Sequence, residues 1–600
     1  MSLECVHGQE ITVGLQSDPR LKGKEFLNSK SSTDTLGLPF FDDFSGQGLT
    51  PDPSRWSDNY VLINNSYSNS QITTGIATFD ALDANGNLYE TTSSERIEAD
   101  HLTSLPINLA LLPSDSVYFS FYYQPGGLAD LPEDNDSLTL QFYAPLESKW
   151  YSVWKAYGGA YHNFRAVIMK IDQDRYLQKG FRFRFKNYVT LSANLSDPSI
   201  IGNCDIWNLD YVLLNKNRNH ADTVFHDVAF RLPIRSLLKT YEAMPFRHFK
   251  QIYLQEMGSV IPLHYRNNDN ITRNVTRDFD IRDVYENTIV KSFSAGAVNI
   301  APSTSEDFDA DLIYTFDTDK DTARFKIRAW LKTDVFDPKE NDTVTYYQVF
   351  GNYFAYDDGS AEEGYGINGL GSRNARVAVR FKSYIQDTLR AISICFNDSY
   401  QNSNWRAFDL VVWNDNNGIP GDVIYTMENV MVEKAGSIDG FYTYRLTEAV
   451  PVNGVFYIGW KQRSETFLNA GFDINTVSTG RQFYWINGDW NQSTVTGTIM
   501  IRPVVGSPLV TGIHDIPYSE PGLLRFWPNP AHDQVTIDPM AIPASGTSYI
   551  SIIDLQGRIL KRTQWTGSNI DISSLHTGIY FLILDQNGRQ LKCSRLVKTY

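Results

Sequence analysis

Short runs of β-branched and aromatic residues, several alternating with polar positions at a period of two, recur along this chain. Ser116–Tyr123, Ser137–Tyr143, Gly180–Phe185 and Phe408–Trp413 are examples, each bounded by clusters of Gly, Pro, Asn and Asp. Asn-Gly pairs at 85–86, 417–418, 453–454, 487–488 and 587–588 supply the positive φ that tight hairpins need. Helical spacing is scarce, with Ile234–Tyr241 a short exception. Strands every 8–12 residues or so, without intervening helices, predict an all-β chain of sandwiches or barrels.

At 600 residues the chain exceeds what one hydrophobic core can hold, and roughly three to five domains are expected. After an N-terminal segment, 1–39, a first sandwich is placed at 40–230. It opens with Phe40-Phe41-Asp42-Asp43-Phe44 and closes with the run from Cys204 to Asn215, which contains Trp207, Asp210, Tyr211 and Val212. Those two strand patterns resemble the jelly-roll domains of adhesive and carbohydrate-binding extracellular proteins, in which the first and last strands pair. An immunoglobulin-like β-domain is expected at 231–347, with Ala323–Thr333 as one alternating strand. A second jelly-roll-like sandwich is expected at 348–505, then a Pro- and Gly-containing linker at 506–522 and a small C-terminal sandwich at 523–600.

Charge and cysteine content narrow the partners. A net charge of −16 argues against nucleic acid, whose phosphates need clustered Lys and Arg. Cys5, Cys204, Cys395 and Cys593 lie too far apart for metal spacing, so isolated thiols are expected, with one long-range bridge left open. No apolar run approaches the ~18 residues of a transmembrane span. The opening MSLECVHGQE reads like the end of a signal peptide whose start lies upstream of Met1.

The last 78 or so residues carry the most specific signal. Pro528-Asn529-Pro530 is followed by Ile552-Ile553-Asp554-Leu555-Gln556-Gly557-Arg558, then by Leu575-His576-Thr577-Gly578-Ile579-Tyr580, and the chain ends on Arg595-Leu596-Val597-Lys598. In this order the segments resemble the type A C-terminal sorting domain of type IX secretion system cargo in the Bacteroidota. Pro528, Asn529, Pro530, Gly557, Gly578, Tyr580 and Lys598 are the motif residues that the resemblance marks. It implies a secreted or cell-surface protein on the outer-membrane exterior, with the secretion machinery as partner. The prolines also predict a stiff lead into a strand, Gly578 a close turn, and Lys592, Arg595 and Lys598 a basic docking patch. Ala355–Gly366 and Val412–Tyr425 resemble segments of large surface proteins that carry the same tail. Seven Asp-Ser/Thr-aliphatic tripeptides, at Asp34, Asp115, Asp136, Asp222, Asp321, Asp342 and Asp387, resemble the O-glycosylation acceptor pattern of such exported proteins.

Catalytic motifs are absent: no His-Glu-x-x-His, no Gly-x-Ser-x-Gly, no phosphate-cradling loop and no dinucleotide fingerprint. No cofactor is expected beyond a calcium ion. Asp317, Asp319 and Asp321 alternate as candidate ligands; Asp130, Glu133, Asp134 and Asp136 crowd one loop; Asp415, Asn417 and Asp422 line another; and Asp357, Asp358 and Glu362 begin a strand. Solvated acidic loops are the competing reading. Trp150, Trp154, Trp405, Trp413, Trp485 and Trp490 are candidates for stacking on sugar rings or for core packing. The sequence therefore predicts an exported, non-enzymatic protein of adhesion or of glycan or host-matrix binding. A secreted hydrolase with its site in a jelly roll is one alternative, and a structural part of the surface layer or secretion apparatus is another.

Overall fold

The computed structural model describes residues 8–21, 35–46, 48–90, 92–191, 198–222, 224–312, 316, 322–333, 338–398, 403–433, 440–507, 522–524, 526–537, 548–553, 559–565, 567, 569–586 and 589–599. The chain is all-β, with one α-helix among the described residues, and divides into two compact units, Met1–Pro508 and Leu509–Tyr600. No helix among the described residues is long and apolar enough to cross a membrane.

The first sandwich has two antiparallel sheets. One orders Arg165–Ile171, Val117–Pro125, Trp207–Asn215, Ile76–Phe79 and Leu62–Asn64, with Phe40–Asp42 also pairing with Trp207–Asn215. The other orders Ile97–Thr103, Lys179–Val189, Ser137–Ala144 and Lys149–Tyr157, with Ile107–Asn108 added beside Lys179–Val189. The opening and closing strands thus pair, as their sequence patterns predict: Phe40, Phe41 and Asp42 face Leu214, Leu213 and Val212. Period-two alternation sends Phe181, Phe183 and Phe185 inward against Phe119, Phe121 and Phe142. Trp56 and Trp207 are fully buried in the same core. The Trp56 indole N–H donates to Asp42 Oδ2 at 2.6 Å. Burial pushes the Asp42 carboxyl up to about 6, although the Trp56 bond and Arg55 pull the other way.

The following residues form a three-stranded sheet (Val228–Phe230, Val260–Asn267, Ser305–Asp311) and a five-stranded one (Ala243–Pro245, Thr343–Gly351, Ala323–Lys332, Arg273–Asp283, Thr288–Ile300). Strand Thr343–Gly351 runs across positions 347 and 348, so the change of sheet comes after Gly351. A seven-stranded sheet from Arg376 to Val505 then packs with a four-stranded sheet whose edge is the N-terminal strand Gln9–Gly14, paired with Glu363–Asn368. One apolar cluster runs through all of this from Val228 to Val505.

Two local expectations are corrected. The segment Ile234–Tyr241 is not helical. Ile234, Leu237, Leu238 and Tyr241 are buried at helical spacing, but side chains hold the backbone: Gln348 accepts the Leu237 N–H and Glu256 the Thr240 N–H. The helix is Phe246–Glu256, beginning directly after Pro245, where a fixed φ and a missing donor cost nothing. Of the Asn-Gly pairs, 417–418 and 487–488 are two-residue hairpins with positive φ at both positions, and 85–86 is a turn. Asn453-Gly454 instead lies inside strand Phe441–Gln462 opposite a register shift, and pair 587–588 lies outside the described residues. Cys395 is buried at the end of strand Arg376–Cys395, whereas Cys204 precedes a strand rather than lying in one.

Phe183 meets Phe40, Trp56 and Phe119 at ring-centroid distances of 5.0, 5.6 and 4.6 Å. Phe183→Ala is expected to destabilise the first sandwich by about 3–5 kcal/mol. Chemical denaturation followed by tryptophan fluorescence would check this, and a loss under about 1 kcal/mol would contradict the packing described.

Candidate functional site

The C-terminal unit has a five-stranded sheet, ordered Gly522–Leu523, Arg589–Lys598, Gly578–Gln586, Ser548–Ile553 and Ile559–Gln564, and a three-stranded sheet of Phe526–Trp527, Gln534–Ile537 and Ile570–Asp571. Leu524, Val535, Ile552, Leu582 and Leu596 fill its core. Pro528, Asn529 and Pro530 form an exposed connection between two strands of the smaller sheet. Asn529 clamps the last strand from both sides of its amide: Nδ2 donates to the Arg595 carbonyl and Oδ1 accepts from the Val597 N–H, each at 2.8 Å. Backbone bonds of Ala531 with Val597 and Thr599 continue the clamp. The Tyr580 hydroxyl donates to the His576 carbonyl at 2.8 Å, closing the turn before its strand.

Two expectations for this unit are corrected. Gly578 has no positive φ, and a Cβ there would meet only the Tyr580 ring at ordinary contact distance, so neither strain nor close approach requires glycine. Lys598 is 6% exposed and donates to the Thr599 carbonyl, which removes it from any surface patch; Arg595 remains exposed. Gly557 lies outside the described residues.

In the first unit, Asp317, Asp319 and Asp321 also lie outside the described residues. Asp357 is ion-paired with Arg502, Glu362 accepts from the Ser360 hydroxyl, and Asp415 accepts from the Gly418 N–H and the Tyr457 hydroxyl, so these acids fasten their own loops. The loop acids Asp130, Glu133 and Asp136 do converge, joined by Asp205 and Cys204. Asp205 is the residue that sequence reasoning missed, because it comes from the other end of the sandwich sequence. Acceptor-like Ser137 is fully buried and Asp387 is tied to Arg247 and His248, whereas Thr343 is exposed.

Asp80 and Asp100 sit near each other, 1% and 0% exposed; burial pushes Asp80 up to about 8 and Asp100 well up, with the Asp80 charge adding to the latter. Solvent does not reach either. An open cleft of about 450 Å³ runs past Phe40, Phe41, Asp43, Arg55 and Glu340. The Asp43 oxygens there are engaged by Ser45 and Asn341.

The outer face of the sheet Ile97–Thr103, Lys179–Val189, Ser137–Ala144, Lys149–Tyr157 is different in character. Positions alternating with the inward phenylalanines put Arg182, Arg184 and Tyr188 outside, with Lys186 on the same side but buried, and the register sets Tyr143 opposite Trp150, Thr139 opposite Lys155 and Ser137 opposite Tyr157. Tyr143 and Trp150 rings lie 5.1 Å apart. The Arg184 guanidinium covers Trp150 at 4.4 Å and donates to Gln141 Oε1. Arg96 covers Tyr188 at 4.6 Å and Lys155 covers Tyr157 at 4.3 Å. Glu98, ion-paired with Lys186, shares this face. Of the other candidate tryptophans, Trp413 is buried, Trp150, Trp154, Trp485 and Trp490 are half-buried, and Trp405 is 63% exposed. Trp154 packs against the core with Phe121 and Tyr123.

Two outcomes follow from these arrangements. A carboxyl raised in the folded state contributes stability below its unfolded pKa near ~4, and that contribution is lost as pH rises through the folded value. Burial raises Asp80 to about 8, so wild-type Tm is expected to fall between pH 5 and 8 or so relative to Asp80→Asn; parallel Tm curves for the two proteins would contradict this. In the C-terminal unit, Asn529→Ala removes two hydrogen bonds and is expected to cost about 1–2 kcal/mol, whereas Gly578→Ala leaves the fold intact. Calorimetry of both variants would check the contrast, and an equal loss in both would refute it.

No curated protein sequence matches the chain. Among solved structures, Bacteroides uniformis beta-glucuronidase 2 is 11% identical over 61% of this chain and 35% of its own, with a TM-score of 0.19. The Parabacteroides merdae beta-glucuronidase is 14% identical over 50% and 33%, TM-score 0.21. A glycosyl hydrolase family 2 member from Bacteroides cellulosilyticus is 12% identical over 62% and 39%, TM-score 0.17. The matched regions are less than two thirds of each structure's own length, and likenesses this distant leave function to be argued from this chain's own residues. The C-terminal match is of another kind: residues 525–599 match the secretion system C-terminal sorting domain, which makes this chain a cargo of the type IX secretion system, destined for secretion or outer-surface attachment.

Proposed function

We propose that the exported protein is a binding protein rather than an enzyme, and that its first sandwich holds acidic glycan chains of a surface or matrix across the outer face described above. One observation carries this reading: in a chain of net charge −16, that face sets aromatic rings under Arg96, Lys155 and Arg184, with Arg182 beside them. Sugar rings stack on aromatic faces, and guanidinium groups take carboxylates and sulfates in paired hydrogen bonds. Rings pre-set in a rigid sheet lose little entropy on binding. A hydrolytic reading asks for a carboxylate pair open to substrate; Asp80 and Asp100 are sealed, and Asp43 is committed to Ser45 and Asn341.

The full chain is expected to bind polygalacturonate or heparan sulfate in preference to neutral glucans. Trp150→Ala and Arg184→Ala are each expected to weaken that binding by about tenfold without changing Tm by more than a few degrees. Titration calorimetry with the immobilisation-free polymers reads this directly. Binding unaffected by both substitutions, or turnover of the polymer by the wild type, would sink the proposal.

A further inference from the structure

At one end of the first sandwich, the loop leading into strand Ser137–Ala144 meets the residues that precede strand Trp207–Asn215. The loop is rigid: the Asp136 N–H donates to the Glu133 carbonyl, Gly158 N–H to the Asp136 carbonyl and Gly159 N–H to the Pro132 carbonyl. On the other side Asp205 holds φ +58°, and its own N–H donates to Asp130 Oδ2 at 3.0 Å. The result brings one carboxylate oxygen each from Glu133, Asp136 and Asp205 within 4.8 Å of one another.

Acidic side chains gather on many surfaces without consequence, but two of these are sealed. Asp136 and Asp205 are both 0% exposed. Each has one oxygen used: Asp136 Oδ1 accepts from the Thr190 hydroxyl at 2.9 Å and stands 3.8 Å from Arg96, and Asp205 Oδ2 accepts from the Thr190 N–H at 2.8 Å. Asp136 Oδ2 and Asp205 Oδ1, buried as fully, accept no hydrogen bond. A buried carboxylate oxygen without a donor costs several kcal/mol unless a cation or a proton meets it. The Glu133 carboxyl, exposed on the outer side, faces both groups.

We propose that Glu133, Asp136 and Asp205 form a calcium site. Oxygens bonded to calcium at about 2.4 Å lie at most about 4.8 Å apart, and these three lie within that limit. The three donors are hard carboxylates, and Cys204 is not one of this group. Solvent access past Glu133 lets water complete six to eight ligands, as the flexible coordination of calcium permits; magnesium, held to a tight octahedron, fits such an irregular set poorly.

The test uses the full chain, stripped with a chelator and titrated with calcium chloride or magnesium chloride while Tm is recorded. Calcium is expected to raise Tm and magnesium to raise it less. Glu133→Gln, at an exposed position, is expected to weaken calcium binding roughly tenfold or more. Asp205→Asn is expected to raise the metal-free Tm, by removing a buried charge, and to abolish the calcium-dependent shift. Should Asp205→Asn fail to fold, Glu133→Gln decides alone. A wild type indifferent to calcium, a larger shift with magnesium, or a calcium shift of equal size and affinity in wild type and Glu133→Gln overturns the proposal.

Discussion

The pairing of Phe40–Asp42 with Val212–Leu214 is the constraint on which the first sandwich depends. It joins residues some 170 positions apart, and such closure is costly in chain entropy until side chains lock it. Trp56 supplies the lock. Its ring packs against Phe40, Phe44 and Phe183, and its N–H reaches the Asp42 carboxylate that ends the first strand. Fixing Trp207–Asn215 in that register also fixes Asp205, two positions upstream, against the loop of Glu133 and Asp136. The hydrophobic closure and the polar cluster at the sandwich end are one event.

Much of this was legible in the sequence because strands announce themselves locally. The run Gly180–Phe185 already contains both faces of its strand, phenylalanines inward and Arg182 and Arg184 outward, in the period of two. The hairpins at Asn417-Gly418 and Asn487-Gly488 were equally readable, since both turn residues require positive φ. The sorting domain was readable for another reason: its motif order is dictated by recognition and not by the fold alone. What was not legible were encounters. Asp205 has no sequence neighbour that hints at Glu133, and the apolar spacing of Ile234–Tyr241 could not reveal that Gln348 and Glu256 would take its backbone donors. Gly578 misled because glycine suggests a special φ, whereas here it occupies an ordinary strand position opposite Lys598.

Buried carboxylates are unusually frequent in the first unit, and they divide into two kinds. Asp473 accepts from Asn475, Thr476 and Asp358, so both its oxygens have donors, although burial still pushes its carboxyl well up. Asp80, Asp100, Asp136 and Asp205 each keep an oxygen without a donor. The first kind holds loops through those donors. The second destabilises the apo chain and is tolerable where something from outside supplies the missing charge, or where a proton does. An exported protein meets millimolar-scale divalent cations of the kind that weak extracellular sites bind, so donors that would be a liability in a metal-poor compartment can complete their coordination after transport.

The polar cluster and the aromatic face are joined by a short chain of contacts. Asp136 is followed by Ser137, whose hydroxyl accepts from Arg96, and Arg96 lies over the Tyr188 ring on the outer face. Asp136 also holds Thr190, two residues beyond Tyr188. Charge at Asp136 therefore bears on the position of Arg96: an unneutralised carboxylate cluster draws the guanidinium toward itself, and a bound cation weakens that pull. Arg96 then has more freedom to serve the face, where a glycan carboxylate would compete for it. If the cluster takes a cation and the face a glycan, as proposed, coupling between them would need no movement of the sheet, only a change in which anion a single arginine favours.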